Sequence, residues 1–202
     1  MTLYYSFFQS HLNYCSSVWG LRSKNSVEPL FRAQKKAVRA IENRFNNYFY
    51  NKETGECPCH TKEIFTRNKL LTVHNLIAKN CLTLVQKVLV GLCPMPIWQL
   101  FCKSNLTNQR RTTKFFDVPL NCLKLTDYAL PFVGPKFYNI TINRINDEIV
   151  KNVTYKQPLM QNKFHNPFKN HLKSYLLETQ AKGDFSWSIS NFPLYHDLIV
   201  VT

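Results

Sequence analysis

Glycine is scarce in this chain: 5 of 202 residues. That argues against a β-rich or loop-rich architecture, and the isolated glycines form no phosphate-cradling loop. Acidic residues are almost as sparse, with 12 Asp and Glu against 26 Lys and Arg. No two Asp are adjacent, and Asp117, Asp127, Asp147, Asp184 and Asp197 are scattered. Phosphoryl and nucleotidyl transfer need carboxylates paired around metal ions, so such chemistry is not expected of this chain alone. Long apolar runs are missing too. The stretch from Leu82 to Leu92 is interrupted by Gln86 and Lys87 and is too short to span a bilayer, so no membrane partner is expected. The start, Met1-Thr2-Leu3-Tyr4-Tyr5, does not have the pattern of a secretory signal. The seven Cys are odd in number and irregular in spacing, which fits reduced thiols and an intracellular, cytoplasmic or nuclear location. On that reading the sequons at Asn105, Asn139 and Asn152 are chance matches.

What is present is a hydrophobic fraction of 45%, an aromatic fraction of 14% and a net charge of +14. The first two describe a folding chain. The third points to a polyanionic partner, most simply nucleic acid, or else to a basic protein that charge keeps dispersed.

Helical periodicity dominates the pattern, so the expected fold class is mainly α: an irregular helical domain with a short β-hairpin around residues 113–133. Tyr4, Phe8, Leu12, Cys15 and Trp19 predict one helix over residues 2–19, closed by Gly20. A second helix is expected from Val27 to Asn43, with Ser26 as N-cap and Pro29 in the first turn. Val27, Leu30, Phe31, Ala37, Val38 and Ile41 would form its apolar stripe. Arg32, Lys35, Lys36 and Arg39 fall at i, i+3, i+4 and i+7 on the other side. Those four cations repel one another unless water or phosphate screens them, and both readings stay open. Residues 46–59 read as a loop, followed by a short helix from His60 to Arg67. Thr72 caps the clearest helix, which carries Val73, Leu76, Ile77, Leu84, Val85, Val88 and Leu89 and stops at Gly91. Phe115–Pro119 and Tyr128–Val133 read as short extended segments, and Gly134-Pro135 as a turn into a helix over residues 135–150. A last helix is expected over residues 167–180, with Phe168, Leu172, Tyr175 and Leu176 inside and Lys169 and Lys173 beside them; residues 181–202 read as an irregular tail.

Cys57-Pro58-Cys59-His60 looks like half a metal site, but zinc needs four ligands with longer spacing within each pair, and His74 would join only through folding. No metal is expected here. Arg110, Arg111 and Lys114, in Asn108–Lys114, form the densest basic segment between the two halves. They read either as backbone-phosphate contacts or as a solvated loop.

Several blocks recur in a fixed order. They are His11-Leu12-Asn13-Tyr14-Cys15-Ser16-Ser17-Val18-Trp19-Gly20, then Leu30–Ile41 with its Gln34-Lys35-Lys36 core. His60-Thr61-Lys62-Glu63-Ile64-Phe65, Leu70-Leu71-Thr72-Val73, Gly134-Pro135-Lys136-Phe137-Tyr138-Asn139 and Phe168–Leu177 follow. Together they resemble the C-terminal part of reverse transcriptases of jockey-like non-LTR retrotransposons. The resemblance covers roughly residues 3 to 178. Tyr138 stands where a Trp is usual, Ile140-Thr141-Ile142 replaces a Leu-Pro pair, and Gln109-Arg110 stands in the family's Asn-Thr-Arg turn.

The resemblance implies that residues 1–45 are thumb-like helices following a primer–template duplex, with Arg32, Lys35, Lys36 and Arg39 in the basic block. Residues 60–180 would be a helical C-terminal region with short extended segments. Fingers and palm are absent, so Met1 would lie inside a longer ancestral frame. The implied partners are RNA or an RNA–DNA hybrid and the remainder of the parent polymerase. The chain itself would hold no cofactor, while the parent would use Mg in its palm. Cut from that parent, Tyr4, Tyr5, Phe7 and Phe8 would be partly exposed. The alternative is a stand-alone basic helical module that binds an acidic protein; an enzyme with a cryptic His/Cys site is a third.

Overall fold

The computed structural model describes residues 2–21, 24–42, 61–103, 116–117, 129–150 and 165–182. The chain is mainly α, as the periodicity indicates: among the described residues there are eight α-helices, one π-helical segment and a two-stranded ladder. The expected loop at 46–59, the basic segment at 110–114 and the tail beyond Lys182 lie outside the described residues.

The N-terminal stretch is not one helix. A π-helical segment, Tyr4–Gln9, runs into α1 (Ser10–Asn13), the chain turns at Tyr14 and Cys15, and α2 (Ser16–Trp19) follows. Cys15 takes a left-handed conformation with φ 48°. The cause of the break lies far along the chain. Asn80 donates to Asn13 Oδ1 at 3.1 Å and to Ser16 Oγ at 2.7 Å, bridging the last residue of α1 to the first of α2. Trp19 Nε1 donates to Tyr14 O at 2.6 Å and closes the turn from the other side.

Helix α3 (Lys24–Ile41) begins earlier than its sequence suggests, so Ser26 and Pro29 sit within it instead of capping it. Helix α4 (Thr61–Arg67) ends in a double backbone closure, Lys69 N–H to Thr66 O and Leu70 N–H to Phe65 O. Helix α5 (Val73–Val90) has the expected bounds. Thr72 accepts from Asn75 N–H at 3.4 Å, and Gly91 ends the helix at φ 80°, a conformation glycine adopts without penalty. A single helical turn, α6 (Met95–Trp98), leads to β1 (Cys102–Lys103).

Strand β2 (Phe116–Asp117) pairs antiparallel with β1, Cys102 opposite Asp117 and Lys103 opposite Phe116. The expected extended segment around Phe116 is therefore real, but its partner is upstream. Leu130–Val133 is the opening of α7 (Leu130–Val150), not a strand. Gly134 is accordingly no turn. A Cβ there would stand 2.9 Å from Val85 Cγ2, so the missing side chain lets α7 lie close on α5. Helix α8 (His165–Lys182) closes the described fold.

Helix α5 is the axis, packing against α1, α2, α3, α7 and α8. Its burial extends well beyond one stripe, since Val73 through Ala78 are all buried, as are Cys81, Leu82, Val85, Gln86, Val88 and Leu89. The largest core joins Ala78, Leu82, Val85, Val88 and Leu89 to Phe116, Phe137, Tyr138, Ile142, Phe168, Leu172 and Leu176. A second joins Leu12 and Val27 to Val73, Leu76, Ile77 and Val133. A third joins Tyr4, Phe31 and Val38 to Ile64, Phe65 and Leu70. Residues before Ile41 and the region from Thr61 on thus share two of the three cores. Tyr4, expected at a lost interface, is fully buried, and Phe8 is half-buried. Tyr5 and Phe7 are exposed, with Leu3, Tyr14 and Val18.

Side-chain amides stand in for missing strands around α5. The segment Leu70–Thr72 that leads into α5 is buried and in no helix or strand, and buried peptide groups need partners. Gln34, 0% exposed, donates to Leu71 O at 2.9 Å and accepts from Val73 N–H at 2.9 Å. Gln180 donates to Leu70 O at 3.0 Å and accepts from Thr72 N–H at 3.0 Å. Asn139 pairs in the same manner with both backbone groups of Phe116.

Candidate nucleic-acid interface

Helix α3 carries the basic row, and the structure divides it. Arg32 is exposed and pairs with Glu28 one turn back at 3.5 Å. Lys36 is exposed as well. Lys35 lies with its ammonium 4.0 Å from the centroid of the Phe31 ring, a cation–π contact. Partial burial pushes its pKa below the usual lysine value, Glu28 opposes that, and Arg39 and Arg32 add to it. Arg39 is half-buried and donates through Nε and Nη2 to Thr61 Oγ1, at 3.1 and 2.6 Å. Its guanidinium ties α3 to the start of α4. The outer edge available to a phosphate backbone is therefore built on Arg32 and Lys36, with Lys35 beside them on its aromatic seat. Arg110, Arg111 and Lys114 lie outside the described residues.

A second basic feature has little signature in the sequence. A cleft of ≈ 260 Å³ opens between the π-helical segment, the α4–α5 turn, α5 and α8. Lys69, Lys79, Lys169 and Lys173 all line it, with Tyr5, Gln9 and Asn170 adding polar groups and Leu71 an apolar patch. Among the described residues the lining holds no Asp or Glu. Burial lowers the pKa of Lys79, and Lys169 and Lys173 lower it further. Lys69 sits at the closing position of the α4 terminus with φ 50°, where glycine is the unstrained choice. In sequence these lysines are spread over three segments, and only Lys169 and Lys173 show a common spacing.

Among the described residues no group of three or more His, Cys, Asp or Glu is placed to hold a metal. Cys57, Cys59 and His60 lie outside those residues. His74 is buried in the core with its ring centroid 5.4 Å from that of Phe31. No described helix is long and apolar enough to cross a membrane. No protein-family model matches the chain, and neither does any curated protein or solved structure.

Proposed function

We propose that this chain is the thumb and post-thumb portion of a jockey-like reverse transcriptase, without the palm, that holds RNA or an RNA–DNA hybrid by its phosphates. Its role is positioning and not catalysis; the RNA-directed DNA polymerase activity would belong to the parent, with Mg held in the palm. Support comes from the ordered sequence blocks and the net charge of +14. The single observation that carries the reading is the outer edge of α3, where Arg32 and Lys36 are exposed on a helix anchored through Arg39 to α4. Cations on one helix edge contact the backbone without reading bases.

The test is binding of two unrelated RNA–DNA hybrids, both with 5′-hydroxyl ends, across a salt series. The expected result is equal affinity for both and a linear fall of log K with log salt. Affinity independent of salt, or no binding at all, overturns the reading.

A second reading, a basic module that docks on an acidic protein, is favoured by the exposed Leu3, Phe7, Tyr14 and Val18 around the N-terminal turn. Salt-sensitive capture of an acidic protein without any RNA binding would select it.

A further inference from the structure

We infer that the four-lysine cleft is a binding site for a multiply charged phosphate group, such as a strand-terminal phosphate or a free polyphosphate. The inference goes beyond the backbone-directed reading of α3 and rests on different residues.

Lys69, Lys79, Lys169 and Lys173 come from the α4–α5 turn, from α5 and from α8 to one small cleft, with no carboxylate among the described residues of its lining. Lys169 and Lys173 are four apart on one helix, a spacing at which like charges repel. Lys79 is half-buried beside them. Like charges gathered in this way work against the fold, and a bound anion offsets the repulsion. The backbone closure of α4 holds Lys69 at φ 50°, which fixes where its side chain joins the cleft lining. Lysine ammoniums bind phosphate as point charges, and Gln9 and Asn170 can orient its oxygens by hydrogen bonds.

Shape and charge together select the ligand. The volume lies below the ~300–1,000 Å³ of small-molecule sites, so it fits a charged group better than a bulky ligand. A groove that follows a strand is elongated and lays successive bases on aromatic platforms. Here four lysines line one cleft of ≈ 260 Å³, and four cations exceed what one phosphodiester charge requires. A terminal phosphate carries close to two charges at neutral pH, and a di- or triphosphate more.

The experiment uses the full chain, with calorimetric titration and thermal melting in sodium pyrophosphate against sodium chloride at equal ionic strength. Pyrophosphate should raise Tm by about 5 to 10 °C once it exceeds Kd a hundredfold. Lys173→Gln, at an exposed position, and the double variant Lys79→Gln/Lys173→Gln should weaken binding at least tenfold without lowering the ligand-free Tm. No pyrophosphate response in the wild type, or an undiminished response in both variants, overturns the site. A parallel series compares 5′-triphosphate and 5′-hydroxyl RNAs of one sequence. A triphosphate preference lost in the variants assigns the site to strand ends, and equal affinities with pyrophosphate binding intact assign it to free polyphosphate. Should the 5′-hydroxyl hybrids fail to bind while pyrophosphate still does, the backbone reading falls and the cleft stands.

Discussion

Gln34 and Gln180, from α3 and α8, grip the same four-residue segment from opposite sides: Gln34 holds Leu71 O and Val73 N–H, Gln180 holds Leu70 O and Thr72 N–H. Each amide reproduces what a neighbouring strand would offer. Gln34 also donates to the Tyr4 hydroxyl at 2.6 Å, and Asn75 donates to Gln180 Oε1 at 2.9 Å, so both grips are fixed in place by a third residue. The start of α5 is thereby locked to both ends of the described chain.

Replacing Gln34 with Met keeps the volume but strands one buried carbonyl and one buried N–H. Each orphaned group costs about 1–3 kcal/mol. The expected loss is about 2 to 6 kcal/mol, a large share of a typical domain's stability. Gln180→Met should cost a similar amount. Because both act on one segment, their effects should not add, with a coupling of about 0.5–3 kcal/mol in a double-mutant cycle. Denaturant melts measure the cycle, and amide exchange at Val73 and Thr72 localises it. Additive losses, or unchanged exchange at those two amides, would show that the segment is held by other means.

The residues of these grips are partly legible in the chain. Val27, Phe31, Gln34 and Val38 fall at i, i+4, i+7 and i+11, so position 34 lies on the apolar face of its helix. Likewise Gln180 continues the series Phe168, Leu172, Leu176. A polar residue on an apolar face signals a buried partner, and that signal is masked at Gln34 by the adjacent Lys35-Lys36. The bounds of α5 are fully legible because Thr72 and Gly91 act locally. The break at Tyr14–Cys15 is not, because Asn80 enforces it from a distant helix. The four-lysine cleft is illegible for the same reason: nothing in the local pattern of Lys69 or Lys79 says that α8 will bring two more cations to them. Gly134 has the sequence pattern of a turn, yet close helix packing is what sets it.

Burial of Tyr138 against Gln86 gives a second stability test. The Tyr138 hydroxyl donates to Gln86 Oε1, both residues are fully buried, and the Gln86 amide nitrogen has no partner among the described residues. Tyr138→Phe alone leaves the carbonyl orphaned too, and about 1–3 kcal/mol should be lost. Adding Gln86→Leu removes every unpaired atom, so the double variant should recover most of that loss or exceed the wild type. Urea melts of the three variants decide it; a double variant weaker than Tyr138→Phe would mean that Gln86 holds a further partner.

Alkaline pH should destabilise this protein through buried groups that hold a proton in the fold, Tyr4 among them. Burial pushes its phenol from 10.0 up to about 12, the Gln34 hydrogen bond opposing and Tyr5 adding to the rise. The folded state then holds a proton that the unfolded state releases. Stability from this group is complete below pH 10 and is lost as pH climbs through the folded value, by about 2 to 3 kcal/mol in total. Lys79 acts with the opposite sign. Its lowered pKa, set by burial and then by Lys169 and Lys173, penalises the folded state below that value, and the penalty fades as pH rises toward 10.5. Lys35, lowered mainly by burial, contributes in the same direction. Burial also raises the Cys81 thiol from 9.0 to about 12 and raises the Tyr138 phenol, and both add to the loss, so a stability profile from pH 7 to 12 should fall from about 9 upward and more steeply above 10. Tyr4→Phe should flatten the fall, and Lys79→Gln should flatten the approach to it.

The divided row on α3 makes its four cations separable by experiment. Arg39 donates twice to Thr61, so Arg39→Gln should lower Tm by breaking the α3–α4 tie, a loss of about 1–3 kcal/mol for a hydrogen bond from a charged group. Arg32 and Lys36 are exposed, and Arg32→Gln with Lys36→Gln should leave Tm within a few degrees. If these two meet a hybrid's phosphates, the same pair should weaken binding equally for all sequences. It should also reduce the magnitude of the salt slope by about 1 for each phosphate no longer neutralised. Lys35→Gln should show a mixture, because its ammonium is seated on Phe31. Loss of binding on Arg39→Gln at full stability, with Arg32 and Lys36 silent, would reverse the assignment and place the phosphate contact at the α3–α4 junction.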